Sequence, residues 1–186
     1  MKTFLDYKRK QLKMKDASSI GYWDKRISKL CAKLNRNKNY YTTSSCAGRI
    51  VLIIADEKKK SGLFLFRSHE KINLQELKRE LEKAKQTRKL IYFKQEPCIL
   101  HVACKSLGDA QALLDRAKLA GWKNSGIMAS GNRFVLEMRS TEKLEFPIIN
   151  KGKILVDDNY LKLLVSEANK RLGRTWGKIE KMEKLI

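Results

Sequence analysis

Apolar positions along this chain switch between two periods, and the switches mark its elements. Recurrence every three or four residues predicts helices, and short continuous or alternating runs predict strands. Thr3 followed by Asp6 has capping-box spacing and opens a basic helix to about residue 15. After a break at 16–21, Trp23, Ile27, Leu30 and Leu34 keep helical spacing across about 22–37. Apolar runs at about 48–55 and 63–66 predict a strand pair turning at 58–62. Asn73 with Glu76 caps a third helix that buries Leu74, Leu77, Leu81 and Ala84. Two more strands, at 90–93 and 98–104, lie either side of Pro97. Ser106 with Asp109 caps a fourth helix carrying Ala110, Leu113, Leu114 and Ala117, and Gly121 ends it. Strands at about 123–129 and 133–140 flank the hairpin signal Ser130-Gly131-Asn132. Short strands follow at 144–149 and 153–156. Asp157 then caps a long helix with Leu161, Leu164, Ala168, Leu172 and Ile179 on one face.

The predicted order is ααββαββαββββα. Strands come in pairs joined by short turns, so the fold is α+β: a mixed, largely antiparallel sheet with flanking helices, not a Rossmann-like one. No connection is rich in Pro or Gly, and Pro occurs only 2 times, so residues 1–186 are expected to form a single domain with basic helical segments at both ends.

Charge changes the picture. Lys and Arg number 41 against 20 Asp and Glu, a formal net charge of +21. Such an excess costs self-repulsion and points to a polyanionic partner, nucleic acid before anionic membrane. No stretch approaches the ~18 apolar residues of a membrane span. Met1 is followed by a charged amphipathic segment, so no secretory signal is expected and the chain should be cytoplasmic. The cysteines, Cys31, Cys46, Cys98 and Cys104, form no Cys-x-x-Cys pair, and only His69 and His101 could join them, so no metal site is expected. Three of the thiols read as core residues, with Cys46 set apart by its neighbours. Phosphate-cradling glycine motifs of the dinucleotide and P-loop types are absent from the sequence.

Four segments can carry chemistry. In Thr42-Thr43-Ser44-Ser45-Cys46-Ala47-Gly48-Arg49, small polar side chains let a ligand approach the backbone, and Arg49 offers a planar fork of donors. The bland alternative is a Ser/Thr-rich loop entering a buried strand. Glu96-Pro97-Cys98-Ile99-Leu100-His101-Val102 places a lone His in an apolar strand, as a proton acceptor or as a hydrogen-bonded core residue. Gly121-Trp122-Lys123-Asn124-Ser125-Gly126-Ile127 is a second small-polar loop, or simply a turn. Arg139-Ser140-Thr141 with Leu144-Glu145-Phe146-Pro147 offers another Arg, or a strand-end ion pair. The last helix carries Lys170, Arg171, Arg174, Lys178 and Lys181 around Trp176, a candidate phosphate-facing surface.

Together, in order and over nearly the whole chain, these segments and Lys151-Gly152-Lys153 resemble the archaeal and eukaryotic wybutosine-synthesising tRNA methyltransferase family, the third enzyme of that pathway. The resemblance implies S-adenosylmethionine as donor and a methyltransferase fold unlike the Rossmann type. It implies as acceptor ring nitrogen N4 of the 7-aminocarboxypropyl-demethylwyosine-type guanosine, beside the anticodon of tRNA(Phe). Size and charge suggest an archaeal form, and the monomer is the favoured state where the sequence does not fix the oligomer. His101 is then the candidate base. Ser44, Ser45, Cys46, Gly48, Glu96, Asn124, Ser125, Gly126 and Ser140 are candidates for holding donor or modified base, and Arg49 and Arg139 for holding a carboxylate of either. The competing class is a non-catalytic basic RNA-binding protein, in which the charge is everything and the loops are turns. A membrane-surface protein lacks a clear apolar face beside its basic helices.

Overall fold

A computed structural model describes residues 3–14, 16, 21–55, 62–130 and 133–186. Its elements in chain order are α1 (Phe4–Leu12), α2 (Ser28–Arg36), β1 (Tyr40–Cys46), β2 (Arg49–Ile54), β3 (Phe64–Ser68), α3 (Leu74–Lys85), β4 (Ile91–Glu96), β5 (Ile99–Cys104), α4 (Leu107–Leu119), β6 (Gly126–Ser130), β7 (Arg133–Arg139), β8 (Leu144–Asn150), β9 (Lys153–Ile154) and α5 (Asp158–Leu185). The class is α+β as expected, and among the described residues every strand pairing is antiparallel, in two sheets rather than one.

The chain divides into two compact units. Unit 1 holds residues 1–47, 97–141 and 175–186, and unit 2 holds 48–96 and 142–174. The sheet of unit 1 runs β1-β5-β7-β6. Alternation along the first half of β5 and along β7 buries Leu100, Val102, Leu136 and Met138 on one face, and α4 packs against β5, β6 and β7. Helices α1 and α2 pack against β1, with Phe4 and Tyr41 rings 5.1 Å apart. Unit 2 carries the order β3-β2-β4-β8-β9. Its core includes Ile50, Leu52, Phe93 and Ile148, with α3 against β3, β8 and β9. Asn169 clamps the backbone of Ile72, taking its N–H at 3.0 Å and donating to its carbonyl at 2.7 Å.

The predicted caps form. Thr3 and Asp6 make a reciprocal capping box, and Asn73, Ser106 and Asp157 accept the amides of Glu76, Asp109 and Tyr160. Each satisfies an orphan donor worth about 1 kcal/mol. Gly121 ends α4 at φ 92°, where a Cβ would also meet Lys178 Cε at 3.0 Å.

Three expectations need correction. The residues 42–46, read as a loop, lie in strand β1. Their register against β5 and the burial of Tyr40, Tyr41, Thr42 and Ser45 hold them extended. The second helix begins at Ser28 rather than about 22. Asp24 takes the amides of Ile27 and Ser28 on its carbonyl, and its carboxylate is drawn to Ala47 N–H at 3.0 Å. Leu74 is only half-buried, unlike its partners on α3. The predicted turn residues 58–61 and 131–132, and the helix end at Lys15, lie outside the described residues.

Candidate functional site

The open feature of unit 1 is one rung across its sheet. Ser44 on β1 stands opposite His101 on β5, His101 opposite Glu137 on β7, and Glu137 opposite Gly126 on β6. Side chains directly opposite one another share a face, so the rung is a row of neighbours. An adjacent row on the same face is Cys46, Ile99 and Arg139.

A bulge makes this row. Thr42 pairs with Val102, on the buried face, and the register slips between Thr42 and Ser44. Without that extra residue Ser44 would point the same way as Thr42. The slip turns Ser44 and Cys46 to the face of His101 and leaves Ser45, 2% exposed, on the buried one. Two carboxylates far away in sequence brace the segment. Asp16 accepts the amide of Ser45 at 3.2 Å and its hydroxyl at 3.4 Å, and Asp24 accepts the amide of Ala47. Gly48 follows at φ 91°, a conformation that other residues adopt only with strain.

His101 Nε2 lies 2.9 Å from Glu137 Oε2, both side chains half-buried. An ionised carboxylate only accepts, so the shared proton sits on Nε2 and leaves Nδ1 as the ring's acceptor. This is the orientation logic of a base held by an acid. Glu137 was not among the sequence candidates. Strand alternation from His101 and the β5–β7 pairing would have found it, but only once the pairing was known.

The loop before β6 is internally tied. Ser125 Oγ donates to the Trp122 carbonyl at 2.6 Å and accepts the Arg139 amide at 3.1 Å, while the Asn124 amide donates to the Arg139 carbonyl. Ser125 therefore shapes the turn, whereas the exposed side chains of Asn124 and Arg139 project from it. Trp122 is fully buried, its indole N–H on the Lys178 carbonyl at 3.1 Å. Ser140 donates its amide to the Cys98 carbonyl, yet its hydroxyl, fully buried, has no hydrogen-bond partner among the described residues. A buried hydroxyl without a partner costs about 1–3 kcal/mol.

Unit 2 holds Gly48, Arg49 and Glu96. Arg49 Nε donates to Glu96 Oε2 at 2.5 Å, and its guanidinium lies 4.9 Å from the Phe64 ring centroid. Lys170, Arg171 and Arg174 belong to the same unit, where Glu167 pairs with Lys170 at 3.6 Å and Arg171 at 4.0 Å. Lys181 is exposed on the part of α5 in unit 1. Lys178 is engaged within that unit, its Nζ donating to Thr141 Oγ1 at 3.0 Å.

The thiols sort as expected. Cys31, Cys98 and Cys104 are fully buried and Cys46 is half-buried. Burial, aided by Asp16, pushes the Cys31 thiol up to about 12, and burial with Asp109 does the same to Cys104. The thiolate is the reactive form. Iodoacetamide should therefore modify the native protein once, at Cys46. Peptide mapping that finds Cys31 or Cys104 alkylated as fast as Cys46 would contradict this ordering.

Comparison with known proteins places the geometry. Residues 5–186 match the family described as Methyltransferase TYW3. The chain is 36% identical over 186 residues to the tRNA(Phe) 7-((3-amino-3-carboxypropyl)-4-demethylwyosine(37)-N(4))-methyltransferase of Thermococcus sibiricus, covering 98% of this chain and 93% of that one. It is 35% identical over 190 residues to the tRNA wybutosine-synthesizing protein 3 homolog of Danio rerio, covering 99% and 74%. A solved structure of a Pyrococcus horikoshii protein superposes with TM-score 0.87 at 30% identity, covering 98% and 93%. Nothing in these matches favours a binding-only protein, and a match across almost every described residue leaves one conclusion: this chain belongs to the TYW3 methyltransferase family.

Proposed function

We propose that this chain methylates ring nitrogen N4 of the 7-aminocarboxypropyl-demethylwyosine-type guanosine, 3′ of the anticodon in tRNA(Phe), with S-adenosylmethionine as donor. The archaeal relatives are named for that reaction. The observation that carries the reading is the His101–Glu137 pair, set beside Ser44 on an open face of the unit 1 sheet. No helix among the described residues is long and apolar enough to cross a membrane. The reading places the enzyme in the cytoplasm with tRNA and takes the monomer as the working unit.

When bound, S-adenosylmethionine supplies a methyl group already activated by its sulfonium. The residues present suit such a donor: an arginine such as Arg139, exposed on the face of His101, can fork onto a carboxylate. The protein's own work is alignment and proton removal. His101 Nδ1 would accept the acceptor ring's proton, and Glu137 would stabilise the imidazolium that results. Arg139, which pairs with no acidic side chain among the described residues, would take the aminocarboxypropyl carboxylate of the modified base. Arg49, tied to Glu96 within unit 2, is the other candidate for a carboxylate, of donor or of modified base. Ser44, Ser45, Cys46, Gly48, Asn124, Ser125 and Gly126 would shape the backbone that ligands approach. Gly126 leaves open space beside Glu137, since a Cβ there meets nothing within 4 Å.

Donor binding tests this reading. A ligand at a hundred times its Kd stabilises the native state by about 2.7 kcal/mol. S-adenosylmethionine should raise the melting temperature, and tRNA(Phe) carrying the 7-aminocarboxypropyl-demethylwyosine intermediate should gain one methyl group by mass spectrometry. A protein that ignores millimolar donor and leaves that tRNA unchanged is not this enzyme.

A further inference from the structure

Unit 1 contains a cavity of about 540 Å³ between the end of α1, the segment at 21–23, α2 and the start of β1. Its inner wall is already satisfied: Asn35 Nδ2 donates to Thr42 Oγ1 at 2.9 Å, and the Thr42 amide donates to Asn35 Oδ1 at 2.8 Å. Leu12 and Met14 supply apolar sides, and Tyr22 and Trp23 supply aromatic ones. Three of these side chains are unusually open, with Tyr22 67%, Met14 59% and Leu12 43% exposed. The surroundings are cationic. Arg36 lines the cavity, and Lys10 and Lys13 are exposed at the end of α1.

We infer that this cavity takes an unstacked base of the RNA substrate, other than the nucleotide being methylated. The inference rests on the tRNA reading above. Two features select the occupant. Aromatic and thioether side chains around a neutral wall stack on any nucleobase, which is how proteins hold splayed single-stranded loops. The cations attract the phosphates that flank such a base. The same ring chemistry occurs in the adenine of S-adenosylmethionine, but the charge argues against it. That molecule carries a sulfonium, which a cationic rim repels. The carboxylate here, Asp16, already receives the amide and hydroxyl of Ser45.

The test is anisotropy titration of the full chain with a labelled anticodon stem–loop of tRNA(Phe), at several salt concentrations. Calorimetric titration with S-adenosylmethionine runs in parallel. Tyr22 is exposed, so its variants should fold, and a thermal melt checks this. Tyr22→Ala should weaken RNA binding by about 5- to 150-fold, the range for one stacked base. Its salt dependence should match wild type, because the phosphate contacts remain. Tyr22→Phe, which keeps the ring, should bind as wild type does. Arg36→Gln should flatten the slope of log K against log salt by about 0.7 to 0.9, one phosphate contact. RNA affinity unchanged in Tyr22→Ala overturns the inference while the methyltransferase reading stands. Loss of donor rather than RNA affinity in that variant assigns the cavity to adenine and also overturns it. Wild-type protein that binds donor but no RNA would remove the tRNA reading and the inference together.

Discussion

His101→Ala should lower the methylation rate by roughly 10²–10⁴, the span for removal of a general base. Donor affinity should change little. The structure sharpens this expectation, because Glu137 holds Nε2 at 2.9 Å and Nδ1 is the atom left to take a proton. His101→Asn should be equally impaired, since an amide can hydrogen-bond but cannot take the proton. Glu137→Gln keeps the shape and removes the charge that steadies the imidazolium. It should lower the rate by less than His101→Ala. Near wild-type methylation by His101→Asn, with only His101→Ala impaired, would make the residue a packing or hydrogen-bonding element and end its assignment as the base.

Affinity for tRNA should fall by about 10³–10⁵ between 50 and 200 mM salt if six to ten phosphates are contacted. Five cations of the last helix are the candidates for these contacts, and the structure ranks them. Lys170 and Arg171 share Glu167, so part of their charge is spent locally. Lys178 bonds Thr141, and its side chain lies where a Cβ on Gly121 would sit. Arg174 and Lys181 are exposed. Arg174→Glu with Lys181→Glu should therefore weaken tRNA binding and lower the salt slope by roughly 1.8, two phosphates at about 0.9 each. Donor binding should be unaffected. Lys178→Glu should instead lower the melting temperature, because it breaks a tie within unit 1. An unaltered salt slope in the double variant would move the RNA-facing surface off this helix.

What the sequence by itself determined is local. Caps such as Asn73 with Glu76 and Ser106 with Asp109 act over three residues, and the apolar faces of α3, α4 and α5 repeat within a single turn or two. These were legible without any partner. The ordered motifs were legible as well, because they are strings of adjacent residues. Tertiary structure decided the rest. Residues 42–46 carry loop-like composition, and only pairing with β5, more than fifty positions away, makes them a strand. The bulge that turns Ser44 toward His101 leaves no mark in the spacing. Glu137 is one acid among 20 Asp and Glu until β7 sets it opposite His101. Asp16 and Asp24 likewise gain meaning only where the chain returns them to the amides of Ser45 and Ala47. The physical reason is shared by all four: caps and helical faces report energies between near neighbours in the chain, whereas strand register and buried carboxylate contacts form between residues that only the folded chain brings together.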